Sequence, residues 1–537
     1  MPSHPPFDLL QDAALHYARI WPIHVAVEVG ERRMGYGDLA GQMDRIASRL
    51  QAGGVGHNDR VAVLADNGIE ACQAIHGILR AGAVFVPLNP DYPPQRIAGI
   101  IDQAEVAAVV TTADLVPRLA EALALPGGSR PRVVLVLDQP GEGARAALAA
   151  VAVPEVAGYD DLAVTGPPAP VPACAADLAY ILFTSGTTGA PKGVMISHRA
   201  ACATIRWGVD YFAIGPEDRL SNHFRMSFDA SVFDIFCALF AGATVLPLVR
   251  GGDCAFPGEF IRKRGVTLWF SVPSVIDLMM RSRQLASGPF PRLRAALFGG
   301  EPLTPAMAAA WRQHQPHVPL YNLYGPTEAA IACTVHPVHS PLDPAEPISI
   351  GTETAGARIV VWQPERQEPA AIGELGRLMI CGVQLADGYW RRPDLTEEVF
   401  LPALPGLEGE GRVYDTGDLG WRDAAGCIHF GGRADSQVKI MGFRIELGEI
   451  EVTLNRYPGV WESVVVYRDE GTPEIIGILT LEPGADFDGD AVLDHCARTL
   501  PVYMVPRQVI RVEALPRNIN GKADRRAALA MITAGDA

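Results

Sequence analysis

The stretch LAYILFTSGTTGAPKG, residues 178–193, joins two unlike kinds of sequence. Residues 178–182 form an apolar run that reads as a buried strand. The segment behind it, 183–193, sets Gly186, Gly189 and Gly193 among Thr184, Ser185, Thr187 and Thr188 and carries Lys192 near its end. Glycines let backbone amides crowd an anion, hydroxyls add donors, and a lysine supplies a point charge for phosphate. A phosphate-holding loop behind a strand is therefore expected. It is not a Walker loop, because the Gly-Lys-Ser/Thr order is missing. A flexible polar linker is the plainer alternative, and it fits poorly behind a buried strand.

Upstream of this stretch, helical and strand patterns alternate. Leu39, Met43, Ile46 and Leu50 mark one helical face, which Gly53 and Gly54 end. Residues 61–64 read as a strand, Ile69, Cys72, Ile75, Ile78 and Leu79 as a second helical stripe, and 84–86 as a strand ending before Pro87. Residues 106–110 and 133–137 read as further buried strands. Strand, helix, strand at this spacing predicts parallel β-α-β units. Residues 166–172, GPPAPVP, read as a linker between two α/β segments. After residue 434 the character changes: strands at 464–467, 475–481 and 508–512 and a helix at 491–500 predict a compact α+β module of about 100 residues. The expected organisation is an α/β large N-terminal domain over 1–434 and a smaller, mobile α+β C-terminal domain over 435–537.

Composition narrows the function. The 537 residues carry a net charge of −16, which repels phosphodiester backbones, so no nucleic acid partner is expected. The nine cysteines are scattered with no CxxC pair, which fits buried thiols in a reducing cytoplasm. The N-terminus MPSHPPFDLL lacks the basic start and apolar core of a signal peptide. No apolar run approaches the roughly 18 residues of a membrane span, so no membrane partner is expected either. Gly141, Gly143 and Ala146 match a dinucleotide-type GxGxxA pattern, but Pro140 intervenes and no clear strand follows, so a surface turn before an alanine-rich helix is expected there.

Beyond the phosphate loop, LRAGAVFVPLNP (79–90), FDAS (228–231), NLYGPTE (322–328), YDTGDL (414–419), GRADSQVKIMGFRIELGEIE (432–451), LPVYMVP (500–506) and NGKADR (520–525) occur in order. With these motifs the chain resembles the ANL superfamily of adenylate-forming enzymes from Tyr36 to Arg525: acyl-CoA synthetases, luciferases and the adenylation domains of nonribosomal peptide synthetases, the last fitting best. The resemblance implies an ATP- and Mg²⁺-dependent ligase. A carboxylate attacks the α-phosphate of ATP, pyrophosphate leaves, and a pantetheine thiol then takes the acyl group from the adenylate. The nucleophile is already ionised at neutral pH, so the protein has to position reactants and stabilise charge.

The resemblance implies these roles. Thr184, Ser185, Gly186, Thr187, Thr188, Gly189 and Lys192 would hold the β- and γ-phosphates. Tyr324 would stack on adenine, Thr327 would bond the α-phosphate and Glu328 would hold the metal. Gly300, Glu301, Pro302, Asn322 and Gly325 would surround the nucleotide. Asp418 and Arg433 would contact the ribose, and Asp435 would be the hinge between the domains. Lys522 would bridge the substrate carboxylate and the nucleotide. After rotation of the small domain, the 439–446 segment would face the large domain, with Gly442 on the pantetheine path. Position 441 is Met where Arg is common in the family, which puts one polar contact in doubt.

Asp229 of FDAS matches the aspartate that pairs with the substrate ammonium in amino-acid-activating members. A buried carboxylate needs a cation or hydrogen bonds to offset desolvation, and an N-cap of the following helix is the plainer role. The implied pocket lining, Ala230, Phe233, Phe270, Leu297, Gly299, Leu323, Ile331 and Ala332, is apolar throughout. It predicts a small or medium aliphatic amino acid, with the two phenylalanines limiting depth and Gly299 leaving room. The chain ends shortly after Arg525, so a free-standing enzyme loading a separate carrier protein is expected. An acyl-CoA or aryl-acid ligase of the same superfamily is the first alternative, and a non-catalytic ATP-binding homologue the second.

Overall fold

The computed structural model describes residues 7–535 apart from 127, 140, 152, 154, 158–166, 187–189, 250, 340–341, 344–345, 406–408, 410, 436, 469–472 and 518–522. Two largely parallel sheets dominate the N-terminal part. In one, the strands Val84–Leu88, Arg60–Leu64, Ala108–Thr111, Val133–Val136 and Glu155–Ala157 run side by side and in parallel. In the other, Leu320–Tyr324, Ala295–Gly299, Leu268–Ser271, Arg219–Asn222, Thr244–Pro247 and Val25–Val29 do the same. Helices between them share one hydrophobic core with both.

The helical stripes fall where expected. Tyr36–Ala52 buries Leu39, Met43, Ile46 and Leu50 against the helix Ile69–Arg80. Gly77 makes this crossing possible, because a Cβ there would lie 2.5 Å from Ile46 Cβ. Truncating a core residue such as Ile46 to Ala costs about 2–5 kcal/mol. The strand expected to stop before Pro87 runs on to Leu88. Its ladder toward Leu178–Thr184 consists of the single pair Phe85↔Tyr180, so the missing N–H of Pro87 interrupts no pairing there. Gly141 caps the alanine-rich helix Glu142–Ala150, and a Cβ on Gly141 or Gly143 would meet nothing within 4 Å. That is a surface turn, as expected, and not a crowded dinucleotide cradle.

One expectation is corrected. The proline-rich stretch does not separate two α/β segments, because Leu178–Thr184 beyond it joins the same sheet as Val84–Leu88 before it. Within 167–172 the chain is a strap: Gln51 bonds both the N–H and the carbonyl of Ala169, and Val171 fills the space above Gly82. Residues 357–433 add an antiparallel sheet to the large α/β domain. Ala357–Gln363, Gly376–Gly382, Val413–Arg422 and Ile428–Arg433 form an antiparallel sheet. Both of its faces are covered. Ile359, Val361, Leu378 and Ile380 join the main core, while the alternating Val360, Trp362, Met379 and Cys381 pack in a second cluster. Burial on both faces leaves these strands without the polar side of a half-exposed antiparallel sheet.

The C-terminal part is smaller and α+β. Val460–Arg468, Glu474–Leu481 and Gln508–Arg511 form a three-stranded sheet flanked by Leu447–Asn455, Gly489–Thr499 and Arg525–Gly535. A hairpin, Gln437–Ile440 with Phe443–Glu446, precedes it. Its two turn residues, Met441 (φ 50°) and Gly442 (φ 82°), both have positive φ, as a tight two-residue hairpin requires.

Candidate active site

The glycine-rich loop is closed by antiparallel pairing of Leu178–Thr184 with Lys192–Ser197, which sets Lys192 opposite Thr184. Gly186 is obligatory, since a Cβ there would lie 2.0 Å from the carbonyl oxygen of Ala190. Thr187, Thr188 and Gly189 lie outside the described residues. The described donors of the loop face the small domain. Ser185 Oγ donates to the Arg444 carbonyl (2.7 Å) and accepts from the Glu446 N–H (3.2 Å). The Gly186 N–H donates to Glu449 Oε2 (3.2 Å), and Lys192 Nζ lies 3.7 Å from Glu446 Oε1. Glu449 Oε1 pairs with buried Arg96 at 2.5 Å. Burial, followed by the charge of Arg444, lowers the Lys192 pKa, and Glu328 and Glu446 oppose this.

Glu328 sits fully buried in the turn Thr327–Ala329. Tyr389 O–H donates to its Oε1 and Arg444 Nη1 to its Oε2, both at 2.7 Å. Burial alone would raise its pKa. The charges of Arg444 and Lys192 and the Tyr389 hydrogen bond overcome this and hold it at about 2. Just beyond, Ala330 (φ 47°) and Ile331 (φ 83°) both occupy left-handed backbone. For β-branched Ile331 this is strain of about 1–3 kcal/mol, stored between the acidic group and the pocket.

Tyr324 ends the strand Leu320–Tyr324 and donates from its hydroxyl to Asp418 Oδ2 at 2.5 Å. Burial and then Asp418 raise the Tyr324 pKa well above its usual value. Asp418 is also paired with Arg433, whose guanidinium holds Asp435 at 2.6 Å. Tyr324, Asp418, Arg433 and Asp435 thus form one chain of contacts. Gly325 must be glycine, because a Cβ would lie 2.4 Å from the Ile331 carbonyl oxygen. Asn322 instead donates to the Ser349 carbonyl at 2.9 Å, and Pro302 is exposed. Gly300 has φ 87° and borders the cleft. Glu301 accepts from the N–H of Gly442 (2.6 Å) and of Ser274 (3.2 Å), so it holds the hairpin tip.

Asp229 opens the helix Asp229–Phe240, but Phe228 is the N-cap, so capping does not account for the aspartate. Burial raises its pKa to about 6, against hydrogen bonds from Thr327 and the Ala230 N–H and the charge of Lys439. The eight residues expected to line the pocket are all buried, and none of them borders the cleft that Asp229 borders. Phe233 and Phe270 meet edge to face, with centroids 5.6 Å apart. Register sets Phe270 beside Leu297 and Gly299 beside Leu323. Gly299 does not leave open room, since a Cβ there would lie 2.9 Å from Leu323 O and 3.4 Å from the Phe270 ring. The missing side chain lets these neighbours close in.

At the hairpin tip Gly442 packs against Val272. Its Cβ position would lie 2.6 Å from Val272 Cγ1. Phe443 stacks on Tyr503 at 3.6 Å and meets Phe228 edge to face. Burial lowers the Lys439 pKa, while Asp418 and Asp229 raise it. Lys522 lies outside the described residues.

Sequence reasoning named no role for Arg96, Tyr389, Arg444, Glu446 or Glu449. Arg444, Glu446 and Glu449 sit inside a quoted motif, so the signal for them was present. Arg96 and Tyr389 carry no local signature, because only tertiary packing brings them to the loop.

The chain belongs to the AMP-binding enzyme family, matching it over residues 15–390 and the AMP-binding enzyme C-terminal domain over 449–522. It is 36% identical over 507 residues to an L-proline--[L-prolyl-carrier protein] ligase of Streptomyces coelicolor, covering 93% of this chain and 92% of the relative. A ligase of the same name from Pseudomonas fluorescens is 34% identical over 530 residues, covering 96% and 98%. Among solved structures, the Vibrio cholerae adenylation domain AlmE, in complex with glycyl-adenosine-5'-phosphate, aligns with a TM-score of 0.81 at 26% identity over 98% of both chains. Among the described residues no helix is long and apolar enough to cross a membrane, and no three His, Cys, Asp or Glu residues cluster as a metal site.

Proposed function

We propose that this enzyme uses ATP to activate a small or medium aliphatic amino acid as its aminoacyl-adenylate, releases pyrophosphate, and passes the acyl group to the pantetheine thiol of a separate carrier protein. The observation that carries this reading is Asp229. Asp229 borders the cleft, and burial raises its pKa to about 6 against hydrogen bonds from Thr327 and the Ala230 N–H and the charge of Lys439, so an ammonium bound there supplies the charge partner that burial makes favourable. A fatty or aryl acid offers no such cation, so an acyl-CoA or aryl-acid ligase would leave Asp229 without a purpose. The carrier-protein ligases among the relatives support the same acceptor class here.

The remaining roles follow from the chemistry of each group. Thr184–Gly189 and Lys192 hold the phosphates, and Tyr324, Asp418 and Arg433 hold the nucleoside. Glu328 suits Mg²⁺, being kept ionised, and its oxygens become available when Arg444 withdraws. The cation, when bound, neutralises charge on the phosphates. Lys522 stabilises charge during carboxylate attack. The domains divide at 434/435, with Asp435 the hinge that lets Lys522 and the 439–446 hairpin take turns at the cleft. The test is exchange of labelled pyrophosphate into ATP, with and without Asp229. Loss of amino-acid-dependent exchange in Asp229→Ala supports the reading, and unchanged kinetics overturn it.

A further inference from the structure

Three groups at the mouth of the phosphate loop attract anions: the Gly186 N–H, the Lys192 ammonium and the Arg96 guanidinium. All three hold small-domain carboxylates. One carboxylate, Glu449, spans Arg96 Nη1 (2.5 Å) and the Gly186 N–H (3.2 Å). Lys192 has Glu446 as its neighbour at 3.7 Å. The sign inverts at the acidic group, where Glu328 accepts from the Arg444 guanidinium at 2.7 Å. Two carboxylates therefore lie on phosphate-type donors, and one cation lies on the metal-type acceptor.

Arg96 is central to this arrangement. It is buried under the Tyr92 ring, 5.2 Å from its centroid, and burial opposes its charge while Glu449 more than restores it. A buried guanidinium left unpaired is strongly unfavourable. When Glu449 leaves, Arg96 needs another anion at the same place.

We propose that Arg96, the Gly186 N–H and Lys192 form one anion cradle used alternately. It takes Glu446 and Glu449 when the small domain is docked as described here, and pyrophosphate or the β,γ-phosphates of ATP when the domain has turned away. Glu446 and Glu449 are then positioning residues of the transfer step, and Arg96 is a further phosphate-binding residue. Docking for transfer is blocked until pyrophosphate has left, because both anions claim the same donors. This rests on the phosphate-loop reading given above.

The test uses the full chain with magnesium pyrophosphate as probe and magnesium sulfate at matched ionic strength as control. Deuterium uptake by the 437–446 hairpin is expected to rise severalfold with pyrophosphate and not with sulfate. Glu449→Gln is expected to slow thioester formation tenfold or more and to lower the KM for pyrophosphate in exchange severalfold, with Glu446→Gln moving both in the same direction. Arg96→Gln is expected to raise that KM tenfold or more. A wild-type chain that exchanges pyrophosphate, yet shows no change in hairpin uptake with it, overturns the shared cradle alone. So does a Glu449→Gln variant that is slow in transfer with an unaltered pyrophosphate KM. A chain with no exchange on any amino acid overturns the phosphate-loop reading beneath it.

Discussion

Arg444 Nη1 lies 2.7 Å from Glu328 Oε2, across 116 residues of sequence and the junction between the large and small parts of the chain. The carboxylate is fully buried and the guanidinium nearly so. Removing one partner of such a pair leaves the other charged and unpaired, at about 3–5 kcal/mol. Arg444→Ala is therefore expected to undock the hairpin and slow carrier loading by 10²-fold or more, with a much smaller effect on pyrophosphate exchange. Equal losses in both assays would count against an interaction confined to one orientation.

The same pair sets an acid limit. Glu328 has its pKa lowered from 4.5 to about 2. A depressed carboxylate contributes stability that is present above its unfolded pKa and lost as pH falls through the folded one. Hairpin protection is expected to hold down to about pH 4 and to fall between 4 and 2, as followed by deuterium uptake corrected for intrinsic pH effects.

Asp229 has the opposite sign. Its pKa is raised from 3.8 to about 6, so the folded state favours its protonated form and loses stability as pH rises through 6. Asp229→Asn is expected to raise the melting temperature at pH 7–8, by on the order of 1–2 kcal/mol of stability once its partial exposure is discounted. The same variant is expected to lose amino-acid-dependent exchange by 10²-fold or more, because the ammonium loses its charge partner. For the wild type, the KM for the amino acid is expected to rise as pH falls below about 6. A flat KM between pH 5 and 8 would contradict the assignment.

Phe233, expected to line the substrate pocket, rests on a glycine outside that lining. Gly208, on the helix His198–Tyr211, lies under Phe233, and a Cβ there would come within 2.6 Å of the ring. Gly208→Ala is expected to push the ring toward the substrate space at about 1–3 kcal/mol of overpacking. The ratio of exchange with alanine to exchange with leucine should rise several-fold. An unchanged ratio would place Phe233 outside the specificity wall.

Lys522→Ala is expected to cut adenylate formation by 10²-fold or more, the order seen when an electrostatic stabiliser is lost. Single-turnover formation of the adenylate measures this directly. Full activity would reject the assigned role.

Much of the fold was legible because local pattern and tertiary packing agree. The 4-3-4 stripe from Leu39 to Leu50 is buried as drawn, and Gly53 and Gly54 end its helix. The antiparallel sheet at 357–433 carries no strand signal in the sequence because alternate residues there enter different cores, leaving no polar side to reveal the period of two. The proline-rich strap was misread because Gln51 and Gly82, far away in sequence, hold it down. In the site, motif residues such as Asp418, Arg433 and Tyr324 do meet, since motifs mark chemistry. Arg96 was silent because an arginine in an amphipathic helix looks solvated until Glu449 arrives from 353 residues away.

The most direct test of the central claim is amino-acid-dependent exchange of labelled pyrophosphate into ATP, run across the proteinogenic amino acids, several β-amino acids and matched amine-free acids. The account predicts a response to small or medium aliphatic amino acids that is lost when the amine is absent. Exchange supported equally well by the amine-free acids would contradict it.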